Sequence, residues 1–436
     1  MEMVHKPNGW ALFPLGVFFS LYALTFIFTG NLDKIPIAVA FLLTGLAAIL
    51  FSKGKLNTRI SVFCKGAANE TILLMVVIFI LAGAFAGSAN AMGAVDATVN
   101  AALYLLPHSM IPASIFIAAC FISMSMGTSC GTIAALTPIA VGISSQIGIS
   151  IPAMVGIVVG GAMFGDNLSY ISDTTIVATR TQEVRMKDKF IVNLRIVLPV
   201  ALVVMLIYIW QGIGLTGTIV TEEIAWIKIL PYLVVLVAAL AGANVILVLT
   251  VGIFLSGFIG LFDGFSVWNW MAAAEKGILG MSELIIVSLM AGGMFEVIRF
   301  NGGIDWLISK FTRNIRSKRK AEGSIAALIS FTDLCTANNT IALIIVGPIA
   351  RKISDTFHIN RRRTASLLDT FSCFTQGLLP YGAQLLIASG IAQIRPVSVV
   401  PYLYYPFLIG IAAVATIIFQ YPKKYTNESW ELGIKN

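Results

Sequence analysis

Charge is scarce in this 436-residue chain: Asp, Glu, Lys and Arg make up 11% of it, against 58% hydrophobic residues and a mean hydropathy of +0.89. A soluble domain carries roughly 25% charged residues, so most of this surface is not built to face water. Histidine is scarce too. His5, His108 and His358 stand far apart, and the five cysteines (Cys64, Cys120, Cys130, Cys335, Cys373) form no C-x-x-C pair. That argues against a buried His/Cys metal centre and against a disulfide framework. No G-x-x-x-x-G-K-[ST] loop occurs, so ATP-driven pumping by this chain alone has no support. No small-residue cleavage site follows the first apolar run, and the N-terminus is expected to stay on.

Long apolar runs are what the chain has in abundance: 11–30, 35–52, 72–92, 191–211, 244–262 and 402–420. About 20 such residues cross a hydrocarbon core of roughly 30 Å as a helix. The net charge of +8 does not point to nucleic acid, because the basic residues cluster in short loops between apolar runs. That is the positive-inside pattern of a membrane protein.

The sequence also repeats itself. Ala82-Gly83-Ala84-Phe85, followed by Gly93-Ala94-Val95-Asp96, aligns with Ala291-Gly292-Gly293-Met294, followed by Gly302-Gly303-Ile304-Asp305. The run Gly127–Ala134 pairs with Cys335–Ala342, Pro138 with Pro348, and Leu198-Pro199 with Tyr405-Pro406. Asp166, Ser169 and Ser172 match Asp369, Ser372 and Thr375 at the same spacing. Two repeats are therefore expected, 1–217 and 218–436, joined near 212–228, an acidic loop with Glu222 and Glu223.

Charge sets the expected topology. The loops 53–71 and 180–195 are both basic, the latter through Arg180, Arg185, Lys187, Lys189 and Arg195, while 93–108 has no Lys or Arg. These loops take consistent sides only if 109–142 is a re-entrant hairpin and 151–179 a single broken crossing. In the second half 300–323 and 351–363 are basic, which makes 324–350 a hairpin from the opposite face and 364–392 the second broken crossing. All Lys and Arg except Lys34, Lys228, Lys276 and Arg395 then lie inside. The expected fold is an all-α polytopic membrane protein of two inverted repeats. It has about ten transmembrane helices, two re-entrant hairpins, two broken helices and both termini in the cytoplasm. Inverted repeats with broken helices characterise secondary transporters.

Irregular backbone at membrane depth must be buried in protein or line a watery cavity. The stretches Ser125–Thr132, Thr332–Thr340, Gly165–Thr175 and Asp369–Gln384 are of this kind. A carboxylate at that depth pairs, binds a cation or takes up a proton. Cation and proton compete for it, which is the physical basis of exchange. The candidate cation and proton ligands are Asp166, Asp173, Asp369, Ser169, Ser172 and Thr174, with Asp166 and Asp173 as Na+ ligands. Candidate solute contacts are Thr128, Ser129, Asn338, Asn339, Ser372, Thr375 and Gln376. Gln376 replaces Asp173 in the second half, so the two half-sites are unequal. Helix capping is the competing reading for Asp166 and Asp173. Asp96 and Asp305 are expected as caps, Glu70 and Glu283 as boundary residues, and Cys130, Cys335 and Cys373 as small packing residues. An intramembrane aspartyl protease would need G-x-G-D, and Met163-Phe164-Gly165-Asp166 lacks the first glycine.

The run Gly165-Asp166-Asn167-Leu168-Ser169-Tyr170-Ile171-Ser172-Asp173-Thr174-Thr175 resembles the G-D-x-L-S-x-x-S-D-T-T signature of NhaC-type Na+/H+ antiporters. Gly127-Thr128-Ser129-Cys130-Gly131-Thr132 is similar to their G-T-S-W-G-T hairpin, and Leu379-Pro380-Tyr381-Gly382-Ala383 resembles the break of their second half. The resemblance implies the ion-transporter superfamily fold, often dimeric with an elevator-like moving domain. It departs at Asn167, where members often have lysine, and at Cys130, where they have tryptophan. Na+/H+ antiport is the leading expectation. Na+- or H+-coupled transport of a small amino acid or organic acid is the alternative, since the family also contains such exchangers. No enzyme activity, resident cofactor or nucleic-acid partner is expected; the partners are a small ion or solute, membrane lipid and a second copy of the chain. The expected location is the bacterial inner membrane.

Overall fold

The computed structural model describes residues 7–29, 35–105, 107–169, 172–215, 225–241, 243–313 and 315–423. His5, Lys34, Tyr170, Ile171, Glu222, Glu223 and both chain ends lie outside the described residues, and with them the expected placement of the termini.

All regular structure among the described residues is helical. Helices Phe13–Thr29, Ile37–Phe51, Leu56–Ala67, Glu70–Ala91 and Ala94–Leu105 lead to a hairpin of Ile111–Met126 and Ser129–Ile147. The interrupted pair Ile151–Leu168 and Asp173–Gln182 follows, then the long Met186–Gly212. A similar succession starts again with Trp226–Leu240, Val245–Phe262, Val267–Gly280, Ser282–Phe300 and Gly303–Thr312. It continues through the hairpin Lys318–Thr336 and Asn339–Thr356, and the interrupted pair Arg361–Leu378 and Ala383–Ala392. After the short Pro396–Val399 it ends in Tyr404–Ile418.

The apolar runs of the sequence fall on helices, as their length requires. Among the described residues, seven helical stretches are long and apolar enough to cross a membrane, or eight if one bent pair counts as a span. Phe28, Leu50, Leu206, Trp210, Phe254, Phe258 and Ile411 are exposed on these helices and on the shorter apolar ones. Such a spread of large apolar side chains suits lipid and not water.

Close helix approach needs small residues, because lipid gives helices no hydrophobic reason to associate. Glu70–Ala91 packs on Val267–Gly280, and Ser282–Phe300 packs on Leu56–Ala67. At the first crossing Gly83 and Gly277 lie back to back, and at the second Gly66 meets Gly292. A Cβ at Gly277 would collide with the Gly83 carbonyl, and one at Gly66 with the Gly292 carbonyl. Gly83 and Gly292, one at each crossing, are aligned with each other in the sequence.

The hairpin tips show the register between the halves. Each first arm ends in a left-handed residue, Gly127 (φ +68°) and Ala337 (φ +50°), and each second arm starts after an extended N-cap, Thr128 and Asn338. Thr128 therefore corresponds to Asn338 and Ser129 to Asn339, in step with Pro138 and Pro348. The sequence pairing of Gly127 with Cys335 is shifted by two residues, because similarity of small polar residues does not report backbone handedness. A left-handed alanine costs about 1–2 kcal/mol, partly offset by the extra unfolded-state freedom of glycine. Ala337→Gly is expected to stabilise the protein by roughly 0.5–1 kcal/mol, read as a higher unfolding temperature in detergent. An unchanged or lower temperature would mean that the tip carries no such strain.

Candidate functional site

The second arm of each hairpin packs on the distal half of the opposite broken pair: Ser129–Ile147 on Ala383–Ala392, and Asn339–Thr356 on Asp173–Gln182. Both tips and both breaks are thereby drawn to one place. Between them lies a cavity of about 90 Å³ lined by Thr128, Ser129, Cys130, Asp166, Ser172, Asp173, Thr174, Asn338, Asn339, Thr340, Gln376 and Gln384, walled by Leu74, Met75 and Ile78. That is room for an ion with a few waters, or for a small solute. A larger cavity of about 660 Å³ opens further along Glu70–Ala91, past Gly83, but its lining holds only Asp96 and Lys276 as charged groups. The smaller one holds the chemistry.

A helix interrupted inside a membrane leaves carbonyls that water cannot satisfy. At the first break side chains satisfy them. Ser172 Oγ donates to the Asp166 carbonyl at 3.1 Å, and Thr175 Oγ1 to the Ser169 carbonyl at 2.9 Å. The Asn167 carbonyl accepts from Lys189 Nζ at 2.7 Å and Asn193 Nδ2 at 2.9 Å. Ser172 also caps the second half-helix by accepting from the Thr175 amide at 3.3 Å.

Asp166 is buried, and its Oδ1 accepts the Ser129 amide at 3.0 Å, at the start of the hairpin's second arm. A helix N-terminus stabilises an anion there. The bond continues as a chain: Gln384 Nε2 donates to Ser129 Oγ at 3.0 Å, and Gln376 Nε2 to Gln384 Oε1 at 2.8 Å. Asp166 is thus wired to the second break through the first hairpin tip. Asp173 lies on the exposed rim of the same cavity, in the first turn of its half-helix.

Four sequence candidates do not line the cavity. Ser169 Oγ donates to the Met124 carbonyl at 2.9 Å. Ser372 and Thr375 bond carbonyls of their own helix, Asp369 at 3.0 Å and Phe371 at 2.9 Å. Asp369 is fully buried, with Oδ2 2.7 Å from Lys189 Nζ and 2.8 Å from Asn193 Nδ2, and Thr174 beside it. Asn338 is an N-cap, its Oδ1 accepting from the Ile341 amide at 3.0 Å, and Asn339 Oδ1 accepts from the Thr340 amide at 3.0 Å. Asp96, Asp305, Glu70 and Glu283 all sit in first helical turns.

Lys189 and Asn193 escaped sequence reasoning, which counted Lys189 with the basic loop. The structure corrects this: Lys189 is fully buried on the inner face of Met186–Gly212. The signal was present in its helical phase. Lys189, Asn193 and Ile196 share one buried face, while Lys187 is exposed. Arg363, counted with the loop 351–363, is likewise buried.

An all-helical, lipid-facing bundle that gathers buried carboxylates, hydroxyls and amides at helix breaks is a multi-pass membrane protein and a secondary transporter. The chain belongs to the Na+/H+ antiporter family, whose model matches residues 8–213 and again 214–422. Its members carry small ions or solutes. The chain is similar to the malate-2H+/Na+-lactate antiporter of Bacillus subtilis, at 23% identity over 94% of each chain. It is also similar to the Na+/H+ antiporter NhaC of Bacillus subtilis, at 24% identity over 81% of this chain and 84% of that one. Among solved structures, the YdaH transporter of Alcanivorax borkumensis covers 95% of this chain and 99% of its own, at a TM-score of 0.43 and 13% identity.

Proposed function

We propose that this chain is a Na+/H+ antiporter of the bacterial plasma membrane, with Asp166 as the carboxylate that Na+ and H+ occupy in turn. One observation carries the reading: Asp166 is a buried carboxylate at a cavity whose lining also includes the oxygen-bearing side chains of Ser172, Thr174 and Asp173. An ionised carboxylate there needs a cation, and a proton that replaces the cation neutralises it equally well. Asp173 at the rim raises the local concentration of cations. Ser169, Ser372 and Thr375 hold the broken backbone in shape.

The order of helices and the two matched ranges support two repeats, 1–217 and 218–436. Charge placement alone supports their inversion, about ten crossings, two re-entrant hairpins and both termini in the cytoplasm. On the positive-inside rule the Leu74–Ile78 wall lies toward the cytoplasm, so the cavity opens inward.

The alternative, coupled exchange of a small organic acid, is favoured by one feature. Asn339 Nδ2 is buried at the second tip without an acceptor, which suits a carboxylate more than a cation. Reconstituted into proteoliposomes, the protein is expected to move Na+ when a pH gradient is imposed. Absence of Na+ flux at every pH tested, together with exchange of labelled malate or lactate, would replace the first reading by the second.

A further inference from the structure

Lys189 is a cation enclosed on all sides. Its ammonium has three donors, and three oxygens take them: the Asn167 carbonyl at 2.7 Å, Thr175 Oγ1 at 2.6 Å and Asp369 Oδ2 at 2.7 Å. Neither Lys189 nor Asp369 is exposed. A structural ion pair needs one carboxylate and some packing, whereas three oxygens from three helices close on this ammonium, and three residues of the same network keep a further side-chain oxygen without a donor. Asn167 Oδ1, Asn193 Oδ1 and Asp369 Oδ1 are all buried without a hydrogen-bond donor. The remaining ligands are a helix-end carbonyl, one side of the first break, and a first-turn hydroxyl, the other side.

The matched carboxylate in the first broken pair, Asp166, faces the open cavity, whereas Asp369 faces the lysine. We infer that the pocket around Asp369 is a second site for a small monovalent cation, filled by the protein's own Lys189 ammonium. The inference rests on reading the Asp166 cavity as a cation site. It gives the asymmetry of the two halves a consequence. One carboxylate exchanges its cation with the medium, and the other keeps a tethered one through the whole cycle. The protein therefore carries one cation fewer than its pair of matched carboxylates would allow, and the second half-site stays neutral when the first is empty.

The test compares thermal unfolding of the full-length protein with Lys189→Met and with the double variant Lys189→Met/Asp369→Asn. Each is titrated with Na+, Li+ and ammonium against choline at constant ionic strength. Lys189→Met empties the pocket but keeps its oxygens, so it is expected to gain a cation-dependent rise in unfolding temperature of roughly 2–4 °C beyond that of the wild type. The double variant, with no carboxylate to compensate, is expected to fold and to lose this gain. Equal cation dependence in Lys189→Met and wild type overturns the inference. So does a Lys189→Met protein that folds in no cation while the double variant folds, because the pocket then accepts nothing but the lysine. A double variant that does not fold assigns the Lys189 contacts to structure alone and overturns it as well. Failure of the antiport reading would show as missing Na+ flux in the wild type. This inference fails on a difference between variants, with ammonium in the series, so one can fall without the other.

Discussion

Asp166→Asn is expected to abolish Na+-driven proton exchange in proteoliposomes while leaving the protein folded. The amide keeps the shape of the carboxyl, and its oxygen can still accept the Ser129 amide that now lies 3.0 Å from Asp166 Oδ1. What it loses is charge and a titratable proton. A unit charge about 4 Å from a cation contributes roughly 4 kcal/mol at an effective dielectric of about 20. Its removal should weaken cation binding more than about a hundredfold. Asp173 is exposed, so Asp173→Asn should cost less than about tenfold, its field being screened by water. The measurement is the initial Na+ flux under an imposed pH gradient, alongside the unfolding temperature. If Asp166→Asn transports at the wild-type rate and Asp173→Asn does not, the site belongs at the rim.

Arg363→Met is expected to cost about 3–5 kcal/mol of stability. Arg363 grips Glu322 through two bonds of 2.5 and 2.9 Å, and donates to the carbonyls of Thr416 at 2.9 Å and Tyr421 at 2.5 Å. Gln420 Nε2 completes the cluster on Glu322 at 2.8 Å. The pair thus pins the first arm of the second hairpin, the second broken pair and the last helix at one end. Breaking it leaves Glu322, itself fully buried, as an unpaired charge. Arg363→Met/Glu322→Leu removes both charges and should recover much of the loss. The unfolding temperature of the three proteins decides it: a single variant as stable as the wild type would show that the pair contributes nothing.

Much of the site could be read from residues that are chemically out of place. Asp166 and Asp173 stood out because carboxylates in apolar surroundings are costly, and the structure gathers both at one cavity with Ser172, Thr174, Thr128, Ser129, Asn338, Asn339 and Gln376. Asp369 stood out for the same reason, yet it turns away from the cavity. The carboxylate's cost is local and visible in the chain, but which cation offsets it depends on a helix that packs from elsewhere. Gln384, which ties Asp166 to the second break, fell at the end of the polar stretch Asp369–Gln384 but was not singled out, because a single amide has no spacing to mark it as a partner. The hairpin register was misplaced by two residues for a related reason. The deciding feature was the left-handed backbone at Gly127 and Ala337, and alanine does not announce that conformation.

By itself the sequence determined that this chain is helical and belongs in a membrane and where its breaks fall, and it lined Asp166 up with Asp369 at the same spacing from their hydroxyl neighbours. Hydropathy and charge carry that information because each residue's transfer cost is paid independently of its neighbours in space. Only the tertiary structure decided that the matched carboxylates differ, one facing the cavity and one closed on Lys189. It also decided that Lys189 and Arg363, charges of the kind that mark a cytoplasmic surface, are buried instead. The physical reason is that a buried charge is stable only through its partners, and those partners come together from distant parts of the chain only on folding.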